Sequence, residues 1–373
     1  FDSDQFFLHS ADQMNELFPD HMFPRAVSNT VAIAERNEFT LKIDDDKEYL
    51  MPSVTTKKGM TEAETLREHV LAGAMETKRY GDENGDIPDH VMERIDYELG
   101  VVEGMGFSGY FLIVENIVKL FADNDIIVGP GRGSAPGSVL VYCLGITDVD
   151  PFAHGLFFER FLNPDRISMP DIDIDVPKSK RKKALLLMEE EYGKGHVAHL
   201  SNYNTMAIRD ALTRASKVYG LSATEANKLT SVLAQYSEGH KVSLDELADR
   251  SVVIPPSVIN ELPRVEPKTL HNIIVTAAAF EGAVVSSGVH ASGILITHDP
   301  VDEHFPLRKS KNSVLPVCQF DGNDVEALGG VKMDILGLKN LDECENTERN
   351  ILLDLGEEVD SSRVPLDDEE VFD

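Results

Sequence analysis

The stretch SMPDIDIDVP, Ser168 to Pro177, places an aspartate at every second residue: Asp171, Asp173 and Asp175, with isoleucines between them. Successive side chains of a β-strand point to opposite faces, so residues two apart share a face at a repeat of roughly 6.5–7 Å. Ile172 and Ile174 then anchor one face in a core while three carboxylates line the other. Like charges in such a row repel, a cost relieved by a cation among them; the alternative is a solvated edge strand. A further acid, Asp334 in GGVKMDILGLKNL, stands among the apolar Val331, Met333, Ile335 and Leu336. A buried charge must be paired or coordinate a metal. Asp334 therefore binds an ion, pairs with Lys332 on the same strand face, or caps a helix.

The second chemical element is VGPGRGSAPGS, residues 128–138. Gly129, Gly131 and Gly133 permit backbone angles and close approaches that side chains forbid. Ser134 suits the N-cap of a following helix and Pro136 its first turn, and the unpaired N–H groups of such a start form a phosphate site. The loop lacks the Gly-Lys-Ser/Thr of a P-loop and the dinucleotide glycine spacing, so a merely tight turn is the competing reading. Arg132 is placed to contact a phosphate. Taken together, a phosphate loop, carboxylates on one strand and another on a second strand are the parts of two-metal phosphoryl transfer. Mg²⁺ takes hard oxygen ligands, and two ions about 3.5–4 Å apart activate an attacking hydroxyl and stabilise the leaving oxygen.

The elements that must position these groups follow from periodicity. Residues 1 to about 40 read as a helical lead-in with Ser10 as a cap, followed by a loop. Helical spacing recurs over Thr61–Tyr80 and Pro88–Glu103. A helix near 110–123, a short strand at Ile126–Val128, the glycine loop, another helix and the aspartate strand come next. The basic run KSKRKK, 178–183, opens a helix reaching about Tyr192, and is expected to be a solvated helix start or, if nucleic acid binds, a local contact to it. Residues 205–285 are mostly helical, with capping boxes at Ser222/Glu225 and Ser243/Glu246. Strand character returns at HASGILITHD and GGVKMDILGL, as though a helical domain were inserted into a sheet-forming one.

At 373 residues the chain has room for two or three domains. The first residues lack the basic and apolar regions of a signal peptide, and no apolar run is long enough to span a membrane; a cytoplasmic protein with no membrane partner is expected. Cys143, Cys318 and Cys344 are too few and scattered for a disulfide framework or a zinc site. The formal charge of −30 argues against generic electrostatic DNA binding, for which a basic footprint is expected. Asp342 to Asp373 alone carries 13 acids and 2 bases, whereas KSKRKK holds five positive charges in six residues. Opening on Phe1 and closing on VPLDDEEVFD, the chain reads as an internal piece of a longer protein.

MGFSGYFLIV, GPGRGSAPGSVLVYCLGITDVDP, LFFERFLNPDRISMPDIDIDVP, GVHASGILIT and CQFDGNDVEALGGVKMDILGLKNL resemble, in that order, the palm signatures of bacterial C-family replicative DNA polymerases, the DNA polymerase III alpha subunits. The resemblance implies an α+β fold: a polymerase-beta-like nucleotidyltransferase palm with an inserted helical thumb. The boundaries expected are a helical linker over 1–40, palm over 41–203, thumb over 204–284, palm again over 285–341, and the start of the fingers over 342–373. It further implies templated addition of deoxynucleotides to a primer 3′ hydroxyl with two Mg²⁺ ions. The catalytic and metal-binding residues carried over are Asp171, Asp173 and Asp334, with Asp175 demoted to a partner of basic groups beside Lys178 and Lys180. Gly133 and Ser134 take the place of the triphosphate-holding pair, with Arg132 and Lys332 as further nucleotide contacts, Lys332 alternatively a primer contact or a structural ion pair, and His290 falls in a matched segment as a hinge or core residue or one near the DNA or nucleotide. Expected partners are primer–template DNA, dNTP and, in a full-length parent, a sliding clamp and other replisome subunits. Thr213 and Arg214 depart from the family's Arg-Asp pair, which alters an expected thumb contact to DNA. The competing functions are an untemplated nucleotidyltransferase and a truncated, inactive nucleic-acid-binding fragment; activity of 1–373 alone is expected to be absent or nearly so.

Overall fold

The computed structural model describes residues 7–38, 40–43, 48–76, 79–163, 169–311, 313–360 and 364. Ser168 and most of the expected fingers segment past 360 lie outside them. The chain divides into two units, Phe1–Glu48 and Tyr49–Asp373, so the first extends past the boundary expected at residue 40. It holds α1 (Ala11–Leu17), started by a full Ser10/Gln13 capping box, and α2 (Ala26–Glu35).

In the second unit, a Thr61/Glu64 capping box starts α3 (Glu62–Ala74), which stops short of the expected Tyr80. Helices α4 (Asp89–Gly104) and α5 (Ser108–Ala122) follow. Eleven of the fifteen α5 residues are buried, which makes it the central helix of the main core. The expected strand at Ile126–Val128 is irregular; just past it, Gly129 N–H donates to the Asp175 carbonyl at 2.9 Å. Past the glycine loop a 3-10 turn at Ala135–Gly137 leads into the short helix α6 (Val139–Cys143). The residue that caps α6 is Ser138, not Ser134, whose side chain makes no cap bond.

The rest of the unit alternates sheet and helix. Strand β1 (Asp173–Pro177) precedes α7 (Arg181–Tyr192) and β2 (Val197–Thr205). A helical block then runs through α8 (Ile208–Val218), α9 (Ala223–His240), α10 (Leu244–Ala248), α11 (Pro256–Glu261) and α12 (Pro267–Phe280). The chain returns as β3 (Val284–Ile296), α13 (Val301–His304), β4 (Leu307–Arg308), β5 (Val317–Cys318), α14 (Gly322–Ala327), β6 (Val331–Leu338) and α15 (Lys339–Leu355). The boundary expected at 342 therefore falls inside the first turn of α15. Among the described residues no single helix is long and apolar enough to cross a membrane.

The fold is mixed α+β, built on a six-stranded sheet in the order β1-β6-β3-β2-β5-β4. Strands β1 and β6 run parallel, β3 is antiparallel to both β6 and β2, and β5 is parallel to β2. Period-two alternation gives the sheet two different faces. Ile172, Ile174, Val176, Ile294, Ile296, Met333 and Ile335 enter the main core with α3 to α7. On the opposite face Ala198, Leu200 and Leu295 join a small cluster with Val301, Phe305, Cys318 and Val325. The helical block has its own core, centred on Leu212, Leu229, Leu233, Leu244 and Ile273. Both capping boxes read from the sequence, at Ser222 and Ser243, form. The block hangs from the β2–β3 ribbon, which Met206 and Gly282–Ala283 extend with two further backbone bonds.

Two buried devices shape the region around the glycine loop. Glu98 of α4 is fully buried and receives Ser138 Oγ at 2.7 Å, the N–H groups of Val139 and Leu140 at 3.2 and 3.3 Å, and Arg94 Nε at 2.6 Å. It thereby satisfies the orphan donors at the start of α6 from another helix. Burial still pushes its carboxyl above the ordinary range, against those bonds. In β3, His199 pairs with Ile294 but Ser201 with Val289, so the stretch around His290–Gly293 bulges out of the ladder. His290 Nδ1 accepts the freed N–H groups of Gly293 (2.7 Å) and Ser292 (3.3 Å). Beyond the bulge, β3 acquires β6 as a second partner at Gly293–Ile296. Replacing Glu98 with Ala removes the acceptor of Arg94 Nε and of the Val139 and Leu140 N–H groups; denaturant unfolding is expected to show a loss of about 3 kcal/mol, and Glu98→Gln a smaller one.

Candidate active site

The parallel register sets Asp173 opposite Asp334 on adjacent strands, and Gly293 opposite Asp334 on the other side. Residues opposite one another in a ladder share a face, so two carboxylates far apart in sequence become neighbours with a glycine beside them. Asp171 lies just before β1, outside the strand to which it was assigned, and its side chain is 66% exposed. The buried phenol of Tyr110 accepts the Ile172 N–H at 3.2 Å and fixes the chain there. Burial holds that phenol well above its usual range, so it stays neutral.

Two cations sit among the acids. Arg132 Nη2 donates to Asp173 Oδ1 at 2.8 Å, while its Nε lies 3.1–3.2 Å from both oxygens of Asp175. Lys332 Nζ lies 2.8 Å from Asp334 and 3.9 Å from Asp171. The pairing of Lys332 with Asp334 is thus one of the alternatives the sequence left open. Asp175, buried, has Arg132 as its partner rather than Lys178 or Lys180. Lys180 instead pairs with Glu345, Arg181 Nε donates to the Ile335 carbonyl at 2.7 Å, and Lys183 reaches the Asn124 carbonyl. Three of the five charges of KSKRKK therefore serve internal contacts.

The glycine loop stands directly against this cluster. Gly133 has φ +71°, and a Cβ there would meet Asp173 Oδ2 at 3.6 Å; Gly131 has φ +103°, and a Cβ there would strike Thr147 Oγ1 at 2.5 Å. The N–H groups of Gly133 and Ser134, both exposed, have no hydrogen-bond partner among the described residues. The structure thus brings Asp171, Asp173, Asp334, Arg132, Lys332, Gly133 and Ser134 into one region. Ser292 and Arg181 are the contributors that sequence reading missed. Ser292 Oγ donates to Asp334 Oδ1 at 2.8 Å, and Arg181 Nη2 reaches the Ser292 carbonyl. Ser292 was within reach of the sequence, two residues past His290 in a singled-out motif; Arg181 was hidden in a run that looked solvated.

The family model described as the bacterial DNA polymerase III alpha NTPase domain matches residues 64–337. The chain belongs to the bacterial DNA polymerase III alpha family. A DNA polymerase III subunit alpha of Aquifex aeolicus is 35% identical over 364 residues, 93% of this chain and 31% of that protein. Those of Thermus aquaticus and Bacillus subtilis are 32% and 33% identical, covering 100% and 98% of this chain and 34% and 31% of their own lengths. The chain spans about a third of the length of these polymerase III alpha relatives.

Within this polymerase III alpha segment the two paired carboxylates carry opposite electrostatic signatures. Burial raises the Asp173 carboxyl above its ordinary range; Arg132 opposes this, and Asp171, Asp334 and Asp175 add to it. At Asp334 burial pulls upward, yet hydrogen bonds from Lys332 and Ser292, with the charges of Lys332 and His290, outweigh it and the net is downward. By linkage, Asp173 contributes stability below its unfolded pKa that is lost as pH rises through its folded value. Asp334 contributes stability above its unfolded value that is lost as pH falls through its folded one. In metal-free protein at pH 7, Asp173→Asn is therefore expected to leave stability unchanged or raise it by up to about 1 kcal/mol, and Asp334→Asn to lower it by about 1–3 kcal/mol. Denaturant unfolding in a chelator separates the two.

Proposed function

We propose that this chain is the catalytic region of a template-directed DNA polymerase. It transfers a deoxynucleotidyl group from dNTP to a primer 3′ hydroxyl, on a polymerase-beta-like palm with residues 208–280 as the helical thumb. The observation that carries the reading is the Asp173–Asp334 register pair beside a glycine loop whose exposed Gly133 and Ser134 have N–H groups without a partner among the described residues. The domain assignment of 1–40, 41–203, 204–284, 285–341 and 342–373 is part of this reading, adjusted at its edges to the elements described above.

The donor set fits divalent ions: hard carboxylate oxygens converge on one face, and the cations Arg132 and Lys332 lie among them where positive charge is needed. Asp171, Asp173 and Asp334 would hold two Mg²⁺ ions, which supply activation of the attacking hydroxyl and neutralisation of the phosphate and leaving-group charge. The chain's own groups do the rest. Gly133 and Ser134 offer N–H groups to triphosphate oxygens, and Lys332 holds the Asp334 carboxylate ionised through a charge-assisted bond. Ser292 orients the same carboxylate, and Arg181 ties β6 to β3 beneath it. Arg132 is shared: on Asp173 and Asp175 in the structure, it is positioned one residue before Gly133 to turn toward a phosphate. Primer–template DNA and dNTP are the substrates, and a sliding clamp and other replisome subunits the partners of the whole protein.

In a full-length parent, Asp173→Asn and Asp334→Asn are each expected to reduce templated primer extension at least about a hundredfold; near-normal extension by either would overturn the reading. Template-independent incorporation at equal rate would favour an untemplated transferase. Arg132→Ala is expected to tighten divalent-ion binding without nucleotide, because it frees Asp173, while raising the KM for dNTP; metal titration and steady-state kinetics measure the two effects separately.

A further inference from the structure

Further along the sheet from the carboxylates, β3 ends at Ile296 and the chain turns through HDPVDEH, residues 298–304, into and along α13. His298 lies five residues beyond Gly293, the partner of Asp334, or roughly 17 Å of extended chain. Asp299 Oδ2 is 2.8 Å from His298 Nε2 and 3.3 Å from His304 Nε2. The three ligand atoms all lie within 4.8 Å of one another. An ordinary aspartate–histidine pair needs one imidazole, but here two rings present the same type of nitrogen to one carboxylate oxygen. The side chains are 28–46% exposed, open enough for an ion to reach them.

The backbone that carries them is firmly set. Thr297 Oγ1 donates to the Asp299 carbonyl at 2.6 Å, Thr297 N–H to the His196 carbonyl, and Val301 N–H to the Gly195 carbonyl at 2.8 Å. Val301 and Phe305, on either side of His304 in the chain, are buried in the small core that Leu295 of β3 also joins. The cluster is therefore a fixed corner rather than a meeting of loose side chains. Two imidazoles and a carboxylate are the donors that first-row transition ions take, with Zn²⁺ bonds of about 2.0–2.2 Å and remaining positions for water. Tetrahedral bonds of that length separate ligand atoms by about 3.4 Å. The observed 2.8 and 3.3 Å reach that value with shifts of a few tenths of an ångström in exposed side chains.

We propose that His298, Asp299 and His304 form a binding site for a nitrogen-preferring divalent transition metal ion of the Zn²⁺ class, clipping the end of β3 to α13. Its donors separate it from the carboxylate face, whose all-oxygen set suits Mg²⁺. The test is calorimetric titration of the chain with Zn²⁺ in excess Mg²⁺, in an Asp173→Asn background that weakens competing binding at the carboxylate face. One equivalent is expected to bind. His298→Ala and His304→Gln should each weaken binding at least about tenfold, and Zn²⁺ should raise the melting temperature of the parent but not of either variant. Circular dichroism matching the parent shows that the variants fold. Absence of one-equivalent binding, or affinities within about twofold of the parent in both variants, would overturn the proposal.

Discussion

Four carboxylates crowd one face of the sheet, at Asp171, Asp173, Asp175 and Asp334, and among the described residues Arg132 and Lys332 are the cations ion-paired with them. That imbalance is the constraint around which this half of the molecule is arranged. In a half-buried setting like charges interact more strongly than in water, so each acid has to be matched with a donor or left toward solvent. Asp175 is buried and takes Arg132, Asp334 is buried and takes Lys332 and Ser292, and Asp171 stays largely exposed. Asp173 shares Arg132 with its neighbour, and burial leaves its ionised form disfavoured. A face so arranged has an electrostatic need for further positive charge.

The surrounding fold serves to hold that face in register. The β3 bulge, closed by the His290 ring, divides the pairing with β2 into two stretches, and beyond it β3 also takes β6 as partner over its last four residues. Without it, Gly293 and Ser292 would not stand beside Asp334. Arg181 bonds carbonyls on β6 and β3 at once, and Glu98 secures the start of α6 behind the glycine loop. Each of these groups is polar, buried or half-buried, and satisfied, so the cluster rests on fixed neighbours rather than on mobile side chains.

Much of this was legible in the sequence for local reasons. Capping boxes at Ser10, Ser222 and Ser243 form because side chain and backbone sit three residues apart, with no need of tertiary context. The Asp-Ile alternation correctly sets Ile172 and Ile174 in the core. What depends on partners was not legible. The β2 strand and the first half of β3, VVSSGV, mix small and polar residues without clean alternation and are strands because they pair with each other. Ser134 looked like a helix cap, but the helix starts at Val139 and takes Ser138, with Glu98 from another helix supplying the remaining acceptor oxygens. Nothing local marks Asp173 as the register partner of Asp334, or Arg132 as the counter-charge of Asp175.

The strongly acidic chain sets a condition on any encounter with nucleic acid, since part of its densest basic run is tied to Glu345 and to the Ile335 and Asn124 carbonyls. Among the described residues, Arg132 and Lys332 are the cations ion-paired with the sheet-face acids. Anomalous diffraction from crystals soaked in Mn²⁺ tests this most directly. The account predicts a peak between the Asp173 and Asp334 carboxylates, with Arg132 moved off Asp173. A peak elsewhere with Arg132 still paired to Asp173, or none at these carboxylates, would contradict it.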